Sequence, residues 1–286
     1  MRDVLSPTVT KNTVGMLRNY DTRTILILEG DSDCVTLARC IDREECRLVV
    51  AQGKTEAIEA AEWSDMQGFE GVLSIVDSDL VDLVEMRSES ANVVYTDPYD
   101  LDSMVFFADG ILDRCIEAYC DYARVHADDS GEERIAFLKS KSLAMASLIG
   151  YLRLYSAIDG REITLDHFPF ERAFKTEELL PDIPALHLIV AKRCKGVQIQ
   201  ESELNDWVAR IESEVVPPIR VSQGHDLFRC LAYAVKTVLG VSIRGDHWEK
   251  IARSHWRLDH LEKTQLHRNV MEWCRVANRR VWLAIP

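Results

Sequence analysis

Thr24-Ile25-Leu26-Ile27-Leu28-Glu29-Gly30-Asp31-Ser32-Asp33 is the stretch whose reading decides the fold. An apolar run stops on a carboxylate, a glycine and two more acids. A run this short, rich in Ile and Leu, reads as a strand buried on both faces, as in parallel sheets. Val72-Leu73-Ser74-Ile75-Val76 runs into Asp77-Ser78-Asp79 in the same way. Ligands of parallel sheets gather at the carboxyl ends of the strands. If the two strands are neighbours, five carboxylates share one edge. They repel unless something cationic sits between them. A hard divalent ion suits this oxygen-only set, Mg²⁺ first and Mn²⁺ as the alternative.

Outward from these runs, strand and helix take turns. Cys34–Ile41 reads as a helix, Arg47–Ala51 as a strand, and Gly53-Lys54-Thr55 opens a helix to Trp63. Residues 71–76 form the next strand, Asn92–Thr96 another, and Met104–Phe107 begins a helix. Alternation of this kind implies βαβ units and an α/β fold with a parallel sheet flanked by helices. From about residue 111 the spacing becomes helical, at Ile111–Val125 and Glu132–Ile158. Gly160, Pro169, Pro181 and Pro184 break residues 160–190 into loops or short extended pieces. Helices resume at Glu201–Glu214, Leu227–Leu239, Asp246–Ser254 and Thr264–Val276. The expected division is therefore a sheet domain, 1–110, and a mostly helical domain, 111–286, for substrate, partner or dimer contacts.

Charge follows the same division. Residues 1–130 hold 11 Lys+Arg and 27 Asp+Glu, a net of −16, and residues 131–286 hold 23 and 20, a net of +3. The acidic half alone repels a nucleic-acid backbone, so metal, the other half or a partner has to compensate. Eight cysteines without a CxxC pair suggest reduced, buried thiols rather than a zinc site or disulfide framework. No apolar run approaches a bilayer span, and Met1–Pro7 has no signal-peptide core. A cytoplasmic protein with no membrane partner is expected.

Several side chains are candidates for chemistry. Glu29 follows its apolar run directly, and carboxylates are rarely buried without a partner. Asp31 and Asp33 suit either a metal or the first turn of a helix. Asp77 and Asp79 can hold one metal or bridge two, or form an Asx-turn. Asp102, with Asp97 and Asp100, is a further ligand candidate, and Asp100 is equally an N-cap. Lys54 can neutralise a phosphate or open a helix. A Walker loop is excluded because Leu48 stands where its first glycine belongs. Gly224-His225-Asp226-Leu227 reads as a helix start capped by Asp226, with His225 able to reach a phosphate. Residues 244–280 carry nine Lys+Arg, five Asp+Glu and four His beside Trp248, Trp256 and Trp273. That composition serves nucleic-acid binding or a helical core with solvated charges.

Glu29-Gly30 after one strand and Asp77-Ser78-Asp79 after another resemble the Toprim fold. With Gly53-Lys54, Asp97, Asp100, Asp102, Gly224-His225-Asp226-Leu227, Thr264–His267 and Trp273, the pattern is similar to the OLD-like Toprim nucleases of phage defence. The nuclease effector of the PARIS anti-phage system belongs to that group. The resemblance implies a Mg²⁺-dependent nuclease with Glu29, Asp77, Asp79 and Lys54 catalytic. It implies Glu29, Asp33, Asp77, Asp79 and Asp102 as metal ligands, although relatives often have Glu in place of Asp102. It further implies host RNA, tRNA over DNA, as substrate. It also implies an ABC-type ATPase partner that restrains the enzyme until a phage trigger, and a homodimer as the active form. Two other readings compete. Asp77-Ser78-Asp79-Leu80-Val81 fits the nucleophile motif of haloacid-dehalogenase-type phosphatases, with Asp77 as nucleophile and Asp79 as general acid. The third reading is a non-catalytic Toprim-like module.

Overall fold

The computed structural model describes residues 9–84, 86–126, 130–176, 178–196 and 198–284; the Met1–Pro7 stretch read for a signal core lies outside them. Helix α1 (Val9–Arg18) precedes β1 (Thr24–Leu28). There follow α2 (Asp31–Leu37), β2 (Cys46–Val50), α3 (Lys54–Met66), β3 (Val72–Val76) and β4 (Val93–Tyr95). The four strands pair in parallel in the order β2-β1-β3-β4. β1 and β3 are thus neighbours, with Leu28 opposite Ile75. Every residue of both is buried, as their mostly apolar character demands. Each fully buried Ile or Leu contributes about 1.5–3 kcal/mol of transfer free energy. β2 is an edge strand, and Arg47 and Val50 face outward.

The order places a reversal in the sheet. From β1 the chain moves to β2 on one side, then α3 carries it back past β1 to β3 on the other. The crevice between β1 and β3 at their carboxyl ends is a topological switch point, where open α/β sheets hold ligands. Glu29 and Asp77, the first residues beyond the two strands, lie at that crevice.

Helix α4 (Leu101–Phe107) opens the helical part, followed by α5 (Ile111–Tyr119), α6 (Tyr122–Val125) and α7 (Gly131–Ile158). Next come β5 (Glu162–Ile163), α8 (Phe170–Ala173), β6 (Phe174–Lys175), β7 (Leu180–Pro181), α9 (Ile183–Arg193) and β8 (Cys194–Lys195). β5 pairs with β8 and β6 with β7, both antiparallel. α10 (Glu201–Ile211), a 3-10 turn at Pro218–Arg220, α11 (Gly224–Leu239) and α12 (Gly245–His255) complete it. Helix α9 corrects the expectation of loops to residue 190. Pro184 lies in its first turn, where the helix needs no N–H, and Asp182 caps it by accepting from the Ala185 N–H at 3.2 Å.

By length and composition α7 is also apolar enough to cross a bilayer, contrary to the expectation that no such run exists. In the fold 61% of its apolar window is buried, the condition of a core helix. It packs on α11, and Gly150 permits the approach of Val221, whose carbonyl oxygen would lie 2.0 Å from a Cβ there.

The chain ends in α13 (Leu258–Leu261) and α14 (Gln265–Ala277). These belong with the sheet, which moves the expected boundary at 110/111. One compact unit comprises the chain to Ser78, Met86–Leu101 and Trp256 onward; the other comprises Asp79–Glu85 and Asp102–His255. Backbone hydrogen bonds fasten the C-terminal segment to the first unit, from Asp42 N–H to Val281 O at 2.9 Å and from Leu283 N–H to Cys40 O at 2.8 Å. The Trp273 indole N–H donates to Asn92 Oδ1 at 2.5 Å beside β4. A mostly helical region does follow the sheet, but its last thirty or so residues return to the sheet unit.

Candidate functional site

Glu29 is the first residue beyond β1, and its backbone carbonyl accepts from the Gly53 N–H at 3.1 Å. Its side chain crosses to the next strand, where Oε1 accepts from the Asp77 N–H at 2.6 Å. The buried apolar run forces the backbone straight to the sheet edge. Gly30 then turns it into α2, whose Asp33 reaches back to the Gly30 N–H at 3.1 Å. That is the carboxylate half of a capping box, so Asp33 serves the start of α2.

Asp77 occupies the equivalent place after β3. Its Oδ1 accepts from the Leu101 N–H at 3.1 Å and lies 3.5 Å from Thr96 Oγ1. Ser78 is buried and fixes the turn, its N–H donating to Thr96 Oγ1 at 3.1 Å and its hydroxyl to the Tyr99 carbonyl at 3.0 Å. Ser78 and Thr96 therefore hold the acidic turn, a role their types alone do not announce. Lys54 begins α3 after β2, yet its ammonium lies 5.8 Å from the centroid of the Tyr95 ring at the end of β4. The Arg87 guanidinium lies 4.7 Å from the same centroid. Two cations thus flank the ring at the carboxyl edge.

The structure therefore brings Glu29 and Asp77 together and puts Lys54 on the same edge. Asp79 and Asp102 belong to the other unit, Asp79 with a left-handed φ of 46°. Both Asp102 oxygens are engaged by Arg253, at 2.6 Å from Nε and 2.5 Å from Nη2. Arg253 also approaches Glu249 at 3.5 Å, and Glu249 accepts from His225 Nδ1 at 2.5 Å. Asp97 turns to α14, where it accepts from the N–H groups of Gln265 at 3.0 Å and Leu266 at 2.6 Å. Asp226 is not the cap of α11, which starts at Gly224; it is 1% exposed and paired with Arg153 of α7.

Among the described residues no group of three or more His, Cys, Asp or Glu is placed to hold a metal ion. What remains is an oxygen pair on adjacent strand ends. Mg²⁺ accepts such a pair, since it is usually held by one or two carboxylates and completes its shell with water and phosphate oxygens. The donor set fits a hard cation and does not form an all-protein cage. Soft-metal chemistry has no support in the thiols. All eight cysteines are free, and burial pushes Cys40 and Cys46 up to about 12 and Cys115 and Cys120 up to about 11.

No protein-family model matches the chain, and no curated protein matches it either.

Proposed function

We propose that the protein is a Mg²⁺-dependent phosphodiesterase, a nuclease, working at the β1–β3 edge. The observation that carries the reading is the 2.6 Å bond from the Asp77 N–H to Glu29 Oε1. It ties the Glu29 carboxylate to the backbone of Asp77 and so sets two acidic residues side by side at the switch point of a parallel sheet, which neither a structural cap nor a phosphatase nucleophile requires. When bound there, the cation would polarise a phosphoryl oxygen and make an attacking water more acidic. Glu29 and Asp77 would hold it, and the Toprim resemblance adds Asp79, two residues beyond Asp77 in the sequence, as the further acid. Lys54 would offset phosphate charge. Asp33 and Asp102 are left out of the ligand set we propose, because one caps α2 and the other holds Arg253.

The finer reading rests on the Toprim resemblance of these motifs. It makes the protein a cytoplasmic effector of anti-phage defence that cleaves host RNA, tRNA above DNA. An ABC-type ATPase holds it inactive, and it acts as a homodimer. The test is cleavage of tRNA and duplex DNA by the purified chain with Mg²⁺ or with chelator. Glu29→Gln and Asp77→Asn each abolish metal-dependent cleavage on this reading. Full cleavage by Glu29→Gln sinks it. Turnover of p-nitrophenyl phosphate that Asp77→Asn abolishes and Glu29→Gln spares would indicate the phosphatase instead.

A further inference from the structure

The helical unit has a cavity of its own, about 590 Å³, between the start of α8, the outer face of α11 and the turn into α12. The volume is within the range of small-molecule sites, roughly 300–1,000 Å³. Its lining is cationic: Arg172, Arg229, Lys236 and Arg244, with the imidazoles of His167 and His225. Glu171 and Asp246 also line it, paired with Lys236 at 3.4 Å and Arg244 at 2.9 Å. Both pairs are highly exposed, and exposed pairs of this kind contribute little and leave the cations available.

The deeper groups are held more firmly. Arg229 lies over the Phe170 ring at 5.5 Å, and its buried Nη1 makes no hydrogen bond, standing 3.9 Å from Asp226. Arg172 has no ion pair among the described residues. His225 commits Nδ1 to Glu249 at 2.5 Å, a contact that favours the imidazolium and fixes the ring. His167 has a left-handed φ of 51°, and its ring meets that of His225 edge-on at 5.8 Å. Arg193 clamps that turn through the carbonyls of Thr164 at 3.1 Å and Asp166 at 2.8 Å. A non-glycine residue held in this region, by a clamp, at a cavity wall is strain of the kind found at binding sites.

We propose that this cavity binds a phosphate group, with Arg172, Arg229 and His225 as its donors. Planar guanidinium forks match phosphate oxygens, and Arg172 brings a guanidinium that no ion pair among the described residues engages. Pro169, Ala232 and Ile243 supply an apolar wall for the remainder of a small ester. The site rests on the helical unit alone and stands whether or not the β1–β3 edge cleaves phosphodiesters.

The experiment is calorimetric titration of the intact chain with inorganic phosphate, pyrophosphate, adenosine 5′-monophosphate, adenosine and a short oligoribonucleotide. At least one phosphate-bearing probe binds, and adenosine does not. Arg172→Gln and Arg244→Gln alter exposed side chains, so the fold is kept, and thermal unfolding checks this. Arg172→Gln weakens the phosphate probes about tenfold or more, the cost of one charge-assisted hydrogen bond. Arg244→Gln weakens them less. Oligoribonucleotide binding tighter than the monophosphate supports the proposal with a nucleic-acid backbone as the source; equal or weaker binding supports it with a small phosphate. Binding by none of the phosphate probes, equal binding of adenosine and its monophosphate, or unchanged affinity in a folded Arg172→Gln overturns it.

Discussion

Asp102→Ala separates a strut from a metal ligand. Both oxygens of Asp102 lie on Arg253, in two charge-assisted bonds. Breaking a fully buried pair costs about 3–5 kcal/mol, and an exposed one about 0–1. Here the side chains are 22% and 14% exposed, between those limits. Arg253 also keeps Glu249 at 3.5 Å, so its charge is not orphaned. These considerations put the loss at about 2 kcal/mol. At about 2–4 °C per kcal/mol for a unit of this size, melting falls by about 4–8 °C. A cycle of Asp102→Asn with Arg253→Gln should show coupling of about 1–2 kcal/mol by urea unfolding. The two alanine-scan readouts differ in kind: the strut costs stability and leaves Mg²⁺ affinity unchanged. Weakened Mg²⁺ binding with stability within about 0.5 kcal/mol of the parent would refute the strut and return Asp102 to the ligand set.

The hydrogen bond to Glu249 raises the His225 pKa above the ordinary imidazole value against the opposing effect of burial. Its stabilising share is therefore complete below about pH 6.5 and is lost as pH rises through the raised value; Glu249→Gln should move the His225 NMR titration downward. Gly150→Ala places a Cβ 2.0 Å from Val221 O, and the resulting overpacking of about 1–3 kcal/mol outweighs a helix-propensity gain of about 1. Urea unfolding of that variant at a midpoint equal to or above the parent's would contradict the close α7 contact. Asp97→Ala strips the acceptor from Gln265 and Leu266, costing about 1–2 kcal/mol, and faster amide exchange should be confined to the start of α14. Cys34 is half-buried while the other seven thiols are buried, so a thiol reagent should label Cys34 first, as mass spectrometry would show.

The sheet was legible because β1 and β3 are buried on both faces, and such strands appear as nearly continuous apolar runs. Their adjacency is not written in either run; it comes from the β2-β1-β3-β4 order. Helix α9 was hidden because proline reads as a breaker, although the first turn tolerates it. The boundary at 110/111 missed the return of residues 256 onward, since composition carries no trace of which helices pack back on a sheet. The tie is made by backbone bonds at Asp42–Val281 and Cys40–Leu283, to which side-chain identity is indifferent.

The acids divide according to what each has within reach. Glu29 and Asp77, half-buried at the ends of buried strands, accept from N–H groups close by, Glu29 from Asp77 and Asp77 from Leu101 at the start of α4. A carboxylate one turn further has a helix N-terminus beside it, with unsatisfied N–H groups that attract negative charge. Asp33 and Asp97 are taken up in this way, at α2 and α14. Asp102 lies inside the first turn of α4, with Arg253 to receive it. Counting acids along the sequence therefore overstates a metal site, because helix starts compete for the same side chains. The strand-end position of Glu29 is what distinguishes it. The charge cannot move to a cap, so it stays at the switch point, where a hard cation or a substrate's own counterion would find it.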